Sequence, residues 1–305
     1  MSAKEFDAVV IGAAGIDTNI YLYSNEVDFN VEVNFSRNRD YIGCAGGYSA
    51  RLFNTLGKST AFIGTIGDDF QGHYIREEMA RDGIDLEGLF FDPEGTIRSV
   101  NFMYKDGRRK NFYDGKGAMG IRPDLAKCAS IMKGAKVAHF SIVNWARYLL
   151  PVSREAGNII ACDIQDISDP NDEYRRDFVR AADVLFFSSV NFADPSRLID
   201  QFLEDNPERI VICGRGKDGC ALGTKNGIEF FPPVEMEKPV TDTNGAGDSL
   251  AVGFLTARYL DGYPLEESIL RAQITARYTC TIEASTSAFI TPSLLEKYYS
   301  GMKHR

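Results

Sequence analysis

Residues 242–249 read DTNGAGDS and run directly into the apolar stretch LAVGFLTARYL. Small residues ahead of a helix can present successive backbone N–H groups. Gly245, Ala246 and Gly247 therefore offer aligned donors, with the helix dipole behind them, to an anion. Charge that develops on a transferred group would be stabilised at such a place. Asp248 follows those donors. As a carboxylate it could accept the proton of an attacking hydroxyl, and it could equally cap the helix. Residue types alone leave both roles open.

Two further segments carry glycines where backbone must come close to something. GCAGGYSARLFNTLG (43–57) begins glycine-rich and continues as a helix. It reads either as a ligand-facing helix N-terminus or as an ordinary tight helix entry. GRGKDG (214–219) matches G-x-G-x-x-G after an apolar strand, the pattern of dinucleotide binding. That fingerprint should open a helix, whereas CALGTKNGIEFF follows and reads as strand and turn. A glycine turn between two strands is the simpler reading, and a turn touching a nucleotide is the other.

The elements that must hold these segments repeat along the chain. FDAVVIGAAGID (6–17) is an apolar strand entering a glycine turn. Residues 58–85 read as strand, turn at Gly67-Asp68-Asp69 and helix. GAKVAHFSI (134–142), GNIIACDI (157–164), ADVLFFSS (182–189) and ERIVICG (208–214) are short apolar runs with room for a helix between neighbours. Such β-α repetition predicts an α/β fold: a doubly wound, mainly parallel sheet with helices on both faces. Two stretches, 27–35 and 97–115, instead alternate apolar and polar residues. The second contains a Lys105-Asp106-Gly107 turn and reads as a hairpin. Both are expected in a small β-sheet lid on a single domain spanning 1–305.

Bulk properties exclude several classes. A net charge of −9 gives no general attraction to nucleic acid. The six cysteines (44, 128, 162, 213, 220 and 280) form no C-x-x-C pair and there are three histidines, so a zinc site is not expected. The opening residues lack the apolar core of a signal peptide, and no apolar run reaches membrane-helix length. The expectation is a cytoplasmic protein with reduced thiols and a small-molecule substrate, bound neither to nucleic acid nor to a membrane.

Taken in order, four segments resemble the ribokinase-like (PfkB) carbohydrate kinases. DTNGAGDSLAVGFL is similar to that family's C-terminal signature, GTIGDDFQGHYIREEMARDGID to its G-x-x-G-x-D-x-x-G segment, GCAGGYSARLFNTLG to its N-terminal glycine motif, and GRGKDGCAL to its nucleotide-side glycine turn. The resemblance covers nearly the whole chain. It implies a β-lid over a sugar and transfer of the ATP γ-phosphoryl group to a substrate hydroxyl. By matched position Asp248 would be the base, and Gly245, Ala246 and Gly247 the anion hole. Asp17 would bind substrate hydroxyls, with Gly43 and its neighbours lining the pocket. Ser188, Gly216, Gly219 and Gln273 would lie along the nucleotide. Magnesium would ride on the phosphates, and a monovalent cation such as potassium would sit near Asp242 and the loop around Ser285.

The chain also departs from the family pattern. Ser188 and Asn191 stand where members carry N-x-x-E. Cys44 replaces the second glycine of the N-terminal pair, and Tyr48 replaces a sugar-binding asparagine. Tyr48 could stack on a ring or base, or fill volume. Arg98, on the first lid strand, matches the phosphate-binding arginine of phosphosugar kinases. With Arg108, Arg109 and Lys110 across the hairpin it suggests an acidic acceptor, although charge on an exposed hairpin also serves solubility. The readings carried forward are a sugar kinase first, then a nucleoside kinase or a kinase of a phosphorylated or acidic sugar. Behind these stand a non-catalytic ligand sensor of the same fold and, on GRGKDG alone, a dehydrogenase. The half-exposed lid strands also predict a homodimer through the lid.

Overall fold

The computed structural model describes residues 5–105, 108–169, 171–284 and 288–303. Within them the apolar runs become most of the strands of one sheet. Numbered along the chain, its strands are β1 (Phe6–Ala13), β4 (Thr60–Gly67), β5 (Asp85–Asp92), β8 (Ala135–Ser141), β9 (Ile159–Asp166), β10 (Val184–Ser188), β11 (Ile210–Gly214), β12 (Cys220–Thr224) and β13 (Gly227–Phe231). Their order is β13-β12-β11-β10-β9-β8-β1-β4-β5. Pairing is parallel from β5 to β11, and the last two strands turn back antiparallel. GRGKDG is accordingly a turn between β11 and β12.

A sheet covered on both faces needs apolar residues at both parities, which is why β1 and β4 read as continuous apolar runs. Ala8 and Val10 face one layer, Val9, Ile11 and Ala13 the other. The first layer holds α1 (Ala45–Thr55), α2 (Phe70–Arg81), α7 (Ala246–Leu255), α8 (Leu265–Thr279) and α9 (Pro292–Lys303), through residues such as Phe53, Ile75, Phe254, Ile274 and Leu295. The second holds α3 (Leu125–Lys133), α4 (Leu150–Glu155), α5 (Glu173–Ala181) and α6 (Ser196–Glu204), through Met132, Leu150, Phe178 and Ile199. Parallel pairing brings the C-terminal strand ends to one edge, where α/β sheets bind ligands.

A second sheet stands over that edge: β2 (Gly15–Leu22), β3 (Ser36–Gly43), β6 (Ile97–Met103) and β7 (Arg109–Asp114), in the order β3-β2-β6-β7. The hairpin expected over 97–115 is β6 and β7, and its turn residues Asp106 and Gly107 lie outside the described residues. The strand expected over 27–35 does not form. Asp28 and Asn34 exchange backbone and side-chain hydrogen bonds at 2.9 Å, and the Asn30 N–H donates to the Asp28 carboxylate at 2.8 Å. Such local bonds compete with a ladder. The alternating Phe29 and Phe35 find no apolar face and are 91% and 76% exposed. The lid strands are instead 15–22 and 36–43, on either side of this excursion.

The G-x-x-G-x-D-x-x-G segment proves to be an anchor. Asp69 caps α2 through the Gly72 N–H at 2.8 Å and also accepts the Thr96 N–H and hydroxyl at 2.8 and 2.6 Å. It ties the root of β6 to the main body. Among the described residues no helix is long and apolar enough to cross a membrane.

Candidate active site

The lid and the C-terminal edge of the main sheet enclose a cavity of about 1920 Å³. Asp248, Gly245, Ala246 and Gly247 line it, and so do Asp17, Gly43, Cys44, Tyr48, Ser188, Gly216, Gly219 and Gln273. Segments more than 200 residues apart in sequence thus meet in one place.

At its centre is the start of α7. The helix is capped by Gly245 with φ 74°, a left-handed conformation that glycine adopts without a Cβ penalty. Asp248 lies inside the first turn and no side-chain bond caps the helix. The capping role left open by the sequence is therefore taken by Gly245 backbone, and the Asp248 carboxylate is available to the cavity. Burial pushes its pKa well above the ordinary carboxylate range. Asp163 and Asp17 add to that shift, and Arg109 opposes it.

Asp17 projects from β2 on the cavity face of the lid. Burial raises its pKa to about 6, opposed by the Cys44 backbone N–H and by Arg109. An ideal Cβ on Gly43 would lie 2.2 Å from the Asp17 carboxyl carbon, so glycine is what lets this carboxylate lie against β3. Cys44 brings its Sγ to 4.0 Å from Asp17 Oδ1 and precedes α1 with φ 59°, a strained value for a residue with a side chain.

Tyr48 does not present a stacking face. It is 3% exposed, and its hydroxyl hydrogen-bonds with Ser249 Oγ at 2.7 Å and Thr279 Oγ1 at 3.0 Å. Its ring meets Phe289 edge-on at 5.2 Å. It pins α1 to α7 and α8, a role that spacing could not reveal because its partners are 201 and 231 residues away.

Arg98 is displaced from its expected role by strand parity. On β6 the cavity face belongs to Ser99 and Asn101, and Arg98 points to the other face, donating to Thr18 Oγ1 at 3.2 Å. The lid charge that bears on both carboxylates, Asp17 and Asp248, is that of Arg109 on β7, whose guanidinium donates to Asn244 Oδ1. Arg108 pairs with Glu26 instead.

Asp242 lies 2% exposed behind the site, and both its carboxylate oxygens accept hydrogen bonds. Oδ1 takes the Asn244 N–H at 2.8 Å. Oδ2 takes Asn19 Nδ2 at 2.9 Å, the Tyr21 hydroxyl at 3.0 Å and the Ala284 N–H at 3.3 Å. These donors complement an anion by themselves. Ser285, the other residue expected at a monovalent cation, lies outside the described residues. Gln273 donates to Pro232 O at 3.2 Å and Cys220 Sγ at 3.1 Å, bracing the chain after β13. Asn191 donates to Ile167 O at 2.9 Å.

Sequence reasoning missed Asp163, Asn244 and the polar lid face of Tyr41, Ser99, Asn101 and Asn111, all of which line the cavity. Asp163 had a legible signal: an acidic residue closing the apolar strand GNIIACDI, at the strand end where ligands gather. It is 6% exposed, its carboxylate accepts the Gln165 N–H at 2.8 Å, and burial lifts its pKa to about 6.

Residues 6–291 match the model of the pfkB family carbohydrate kinases. The acarbose 7(IV)-phosphotransferase of Actinoplanes sp. is 27% identical over 296 residues, 96% of this chain and 98% of that protein. A microbiome-derived acarbose kinase of known structure superposes with a TM-score of 0.89 at 26% identity, covering 97% of this chain and 99% of its own. The Arabidopsis thaliana ribokinase solved with ribose and ATP gives 0.79 at 18% identity, covering 96% and 98%.

Proposed function

We propose a reaction for this chain, which belongs to the pfkB family of carbohydrate kinases: the γ-phosphoryl group of ATP passes to a hydroxyl of a sugar-type acceptor and ADP leaves. Kinase activity follows from the family and from its kinase relatives. The assignment of roles rests chiefly on one observation. Asp248 stands uncapped in the first turn of α7, in the same cavity as Asp17 and the polar lid face. Asp248 takes the proton of the attacking hydroxyl. The N–H groups of Gly245, Ala246 and Gly247 stabilise charge on the moving group. Asp17 orients the acceptor. Ser188, Gly216, Gly219 and Gln273 border the nucleotide. Magnesium, riding on the phosphates with few protein ligands, offsets their charge, and the cavity carboxylates Asp163 and Asp166 fit such an ion. Lid closure limits wasteful hydrolysis.

The acceptor end favours a neutral, hydroxyl-rich molecule. Asp17, Asp163 and Asp248 are among the carboxylates that line the cavity, with Arg109, Lys110 and Lys116 on the lid side, and Arg109 is the cation acting on both Asp17 and Asp248. A phosphorylated or acidic group placed beside Asp17 and Asp248 would meet repulsion there. Ser99, Asn101, Asn111 and Tyr41 supply donors and acceptors suited to hydroxyls. With the Tyr48 hydroxyl and ring engaged elsewhere, the stacking that suggested a nucleoside loses its residue.

The test is ADP release from Mg-ATP across sugars, acarbose, sugar phosphates, sugar acids and nucleosides. Acarbose heads the panel because two similar proteins are named for it. Turnover is expected with a neutral acceptor. Turnover confined to sugar phosphates or nucleosides would overturn the acceptor class. Arg98→Ala should leave the acceptor KM within about twofold. Arg109→Ala should cost about tenfold or more in kcat/KM, as for the loss of a charged hydrogen-bonding group. Equal losses in the two variants would refute the parity argument. Two copies pairing through the lid remains part of this reading, supported by Phe112 on its outer face at 53% exposure. Sedimentation at twice the chain mass is expected, and a monomer at every concentration would exclude the pairing.

A further inference from the structure

The loop that delivers Gly245–Gly247 is held by the lid. Asn244 precedes the three donors directly. Its Nδ2 donates to the Tyr41 hydroxyl of β3 at 2.6 Å and to Asn19 Oδ1 of β2 at 3.4 Å, and its Oδ1 accepts from Arg109 of β7. Asn19 Oδ1 also accepts from the Tyr41 hydroxyl at 3.2 Å and from Asn101 Nδ2 of β6 at 3.0 Å. All four lid strands thus reach one asparagine or its immediate partner.

A second set of bonds ties the same loop to the lid one step earlier. Asp242, two residues before Asn244, accepts from Asn19 and Tyr21 of β2, and its other oxygen takes the Asn244 N–H. Asn19, Asn101 and Asp242 are 0%, 2% and 2% exposed. Buried polar groups lose much when one partner leaves, so this network is made or broken largely as a unit. Nothing in phosphoryl transfer itself requires an amide at 244. The neighbours of that side chain are lid groups.

We infer that Asn244 is a positioning residue that couples the lid to the anion hole, setting the 245–247 N–H groups in place when the lid is down. When the lid lifts, Asn244 loses Tyr41, Asn19 and Arg109 together. The loop then keeps only its core-side bonds, such as Ser249 N–H to Gly245 O at 2.9 Å. ATP bound under an open lid would meet an imperfect set of donors, and transfer would wait for closure. The inference rests on the proposed reaction only in that these donors meet the phosphoryl group.

Hydrogen exchange on the ligand-free full chain tests it without any acceptor. In the wild type, amides of 19–21 and 245–249 should exchange through a shared opening. Asn244→Ala should speed exchange at 245–249 by about tenfold and leave 19–21 nearly unchanged. Tyr21→Phe, which removes one lid bond to Asp242, should speed 245–249 in the wild type and add little in Asn244→Ala, a non-additive cycle. Asn244→Asp, which keeps the size and the acceptor for Arg109 but not the amide donor to Tyr41, is the second variant should the alanine variant fold poorly. With Mg-ATP and acarbose, Asn244→Ala should lower kcat at least tenfold with the KM for ATP within about threefold. Independent opening of the two segments, additive effects, or wild-type exchange at 245–249 in both Asn244 variants would overturn the coupling. Shared opening without turnover of any neutral sugar in the panel would leave the coupling standing and count against the acceptor assignment.

Discussion

Asp248→Asn is expected to lose phosphoryl transfer by about 10²–10⁴-fold, the range of a general base in such reactions, while melting no lower than the wild type at pH 7–8. The two halves have one cause. Burial, Asp163 and Asp17 hold the Asp248 pKa well above its ordinary value, so its ionised form is disfavoured in the folded chain. A carboxyl group whose pKa is raised on folding contributes stability that is present below its unfolded pKa and lost as pH rises through the folded pKa. At neutral pH the aspartate is a net cost that asparagine removes. A gain of about 2 °C or more in Tm is expected there, shrinking as pH falls towards 4. In the wild type the rate should fall as pH drops, because Asp248 must be ionised to take a proton and Asp17 gains its own proton near pH 6. Thermal melts and steady-state rates between pH 4 and 9 check both. An active asparagine variant would remove Asp248 as the base, and a large fall in Tm would show that the carboxylate holds the fold.

Gly43→Ala should cost about 10²-fold in kcat/KM for the acceptor while barely changing the KM for ATP. An added Cβ would sit 2.2 Å from the carboxyl carbon of Asp17 and 2.5 and 2.6 Å from its oxygens. The carboxylate or the end of β3 must move, and a displacement near 1 Å in an orienting group is enough for a loss of that order. The proposed nucleotide side, about Gly216 and Gly219, is built from other strands and should not feel it. Overpacking should also cost about 1–3 kcal/mol of stability. Asp17→Asn with and without Gly43→Ala separates the causes: if the methyl acts through Asp17, the double variant loses no more than Asp17→Asn alone. A Gly43→Ala enzyme with wild-type acceptor kinetics would show that Asp17 does not need this close approach.

Much of the fold was legible for physical reasons. Strands buried on both faces cannot alternate, so β1, β4, β8, β9, β10 and β11 announced themselves as apolar runs, and spacing supplied the helices. The failure at 27–35 has an equally physical cause: alternation is only half of a strand, and here no surface opposes the apolar residues while Asp28, Asn30 and Asn34 bond among themselves. The resemblance placed residues in the cavity by position. It could not say which face of β6 carries Arg98, because a shift of one residue reverses every side chain of a strand.

By itself, then, the sequence determined the α/β class, the glycine turn before α7, the presence of Asp248 beside three small residues, and the family to which these belong. Those properties are local: they depend on neighbours a few residues away, and short-range patterns record them. The tertiary structure alone decided that Gly245 rather than Asp248 caps α7, that the charge of Arg109 rather than of Arg98 bears on the carboxylates, that Tyr48 pins three helices, and that Asn244 is held by the lid. Each depends on partners far apart in sequence or on strand parity. The pairing of Asn244 with Asn19 and Tyr41 spans 225 and 203 residues. Such contacts exist only once the sheet has closed and brought those side chains within hydrogen-bonding distance.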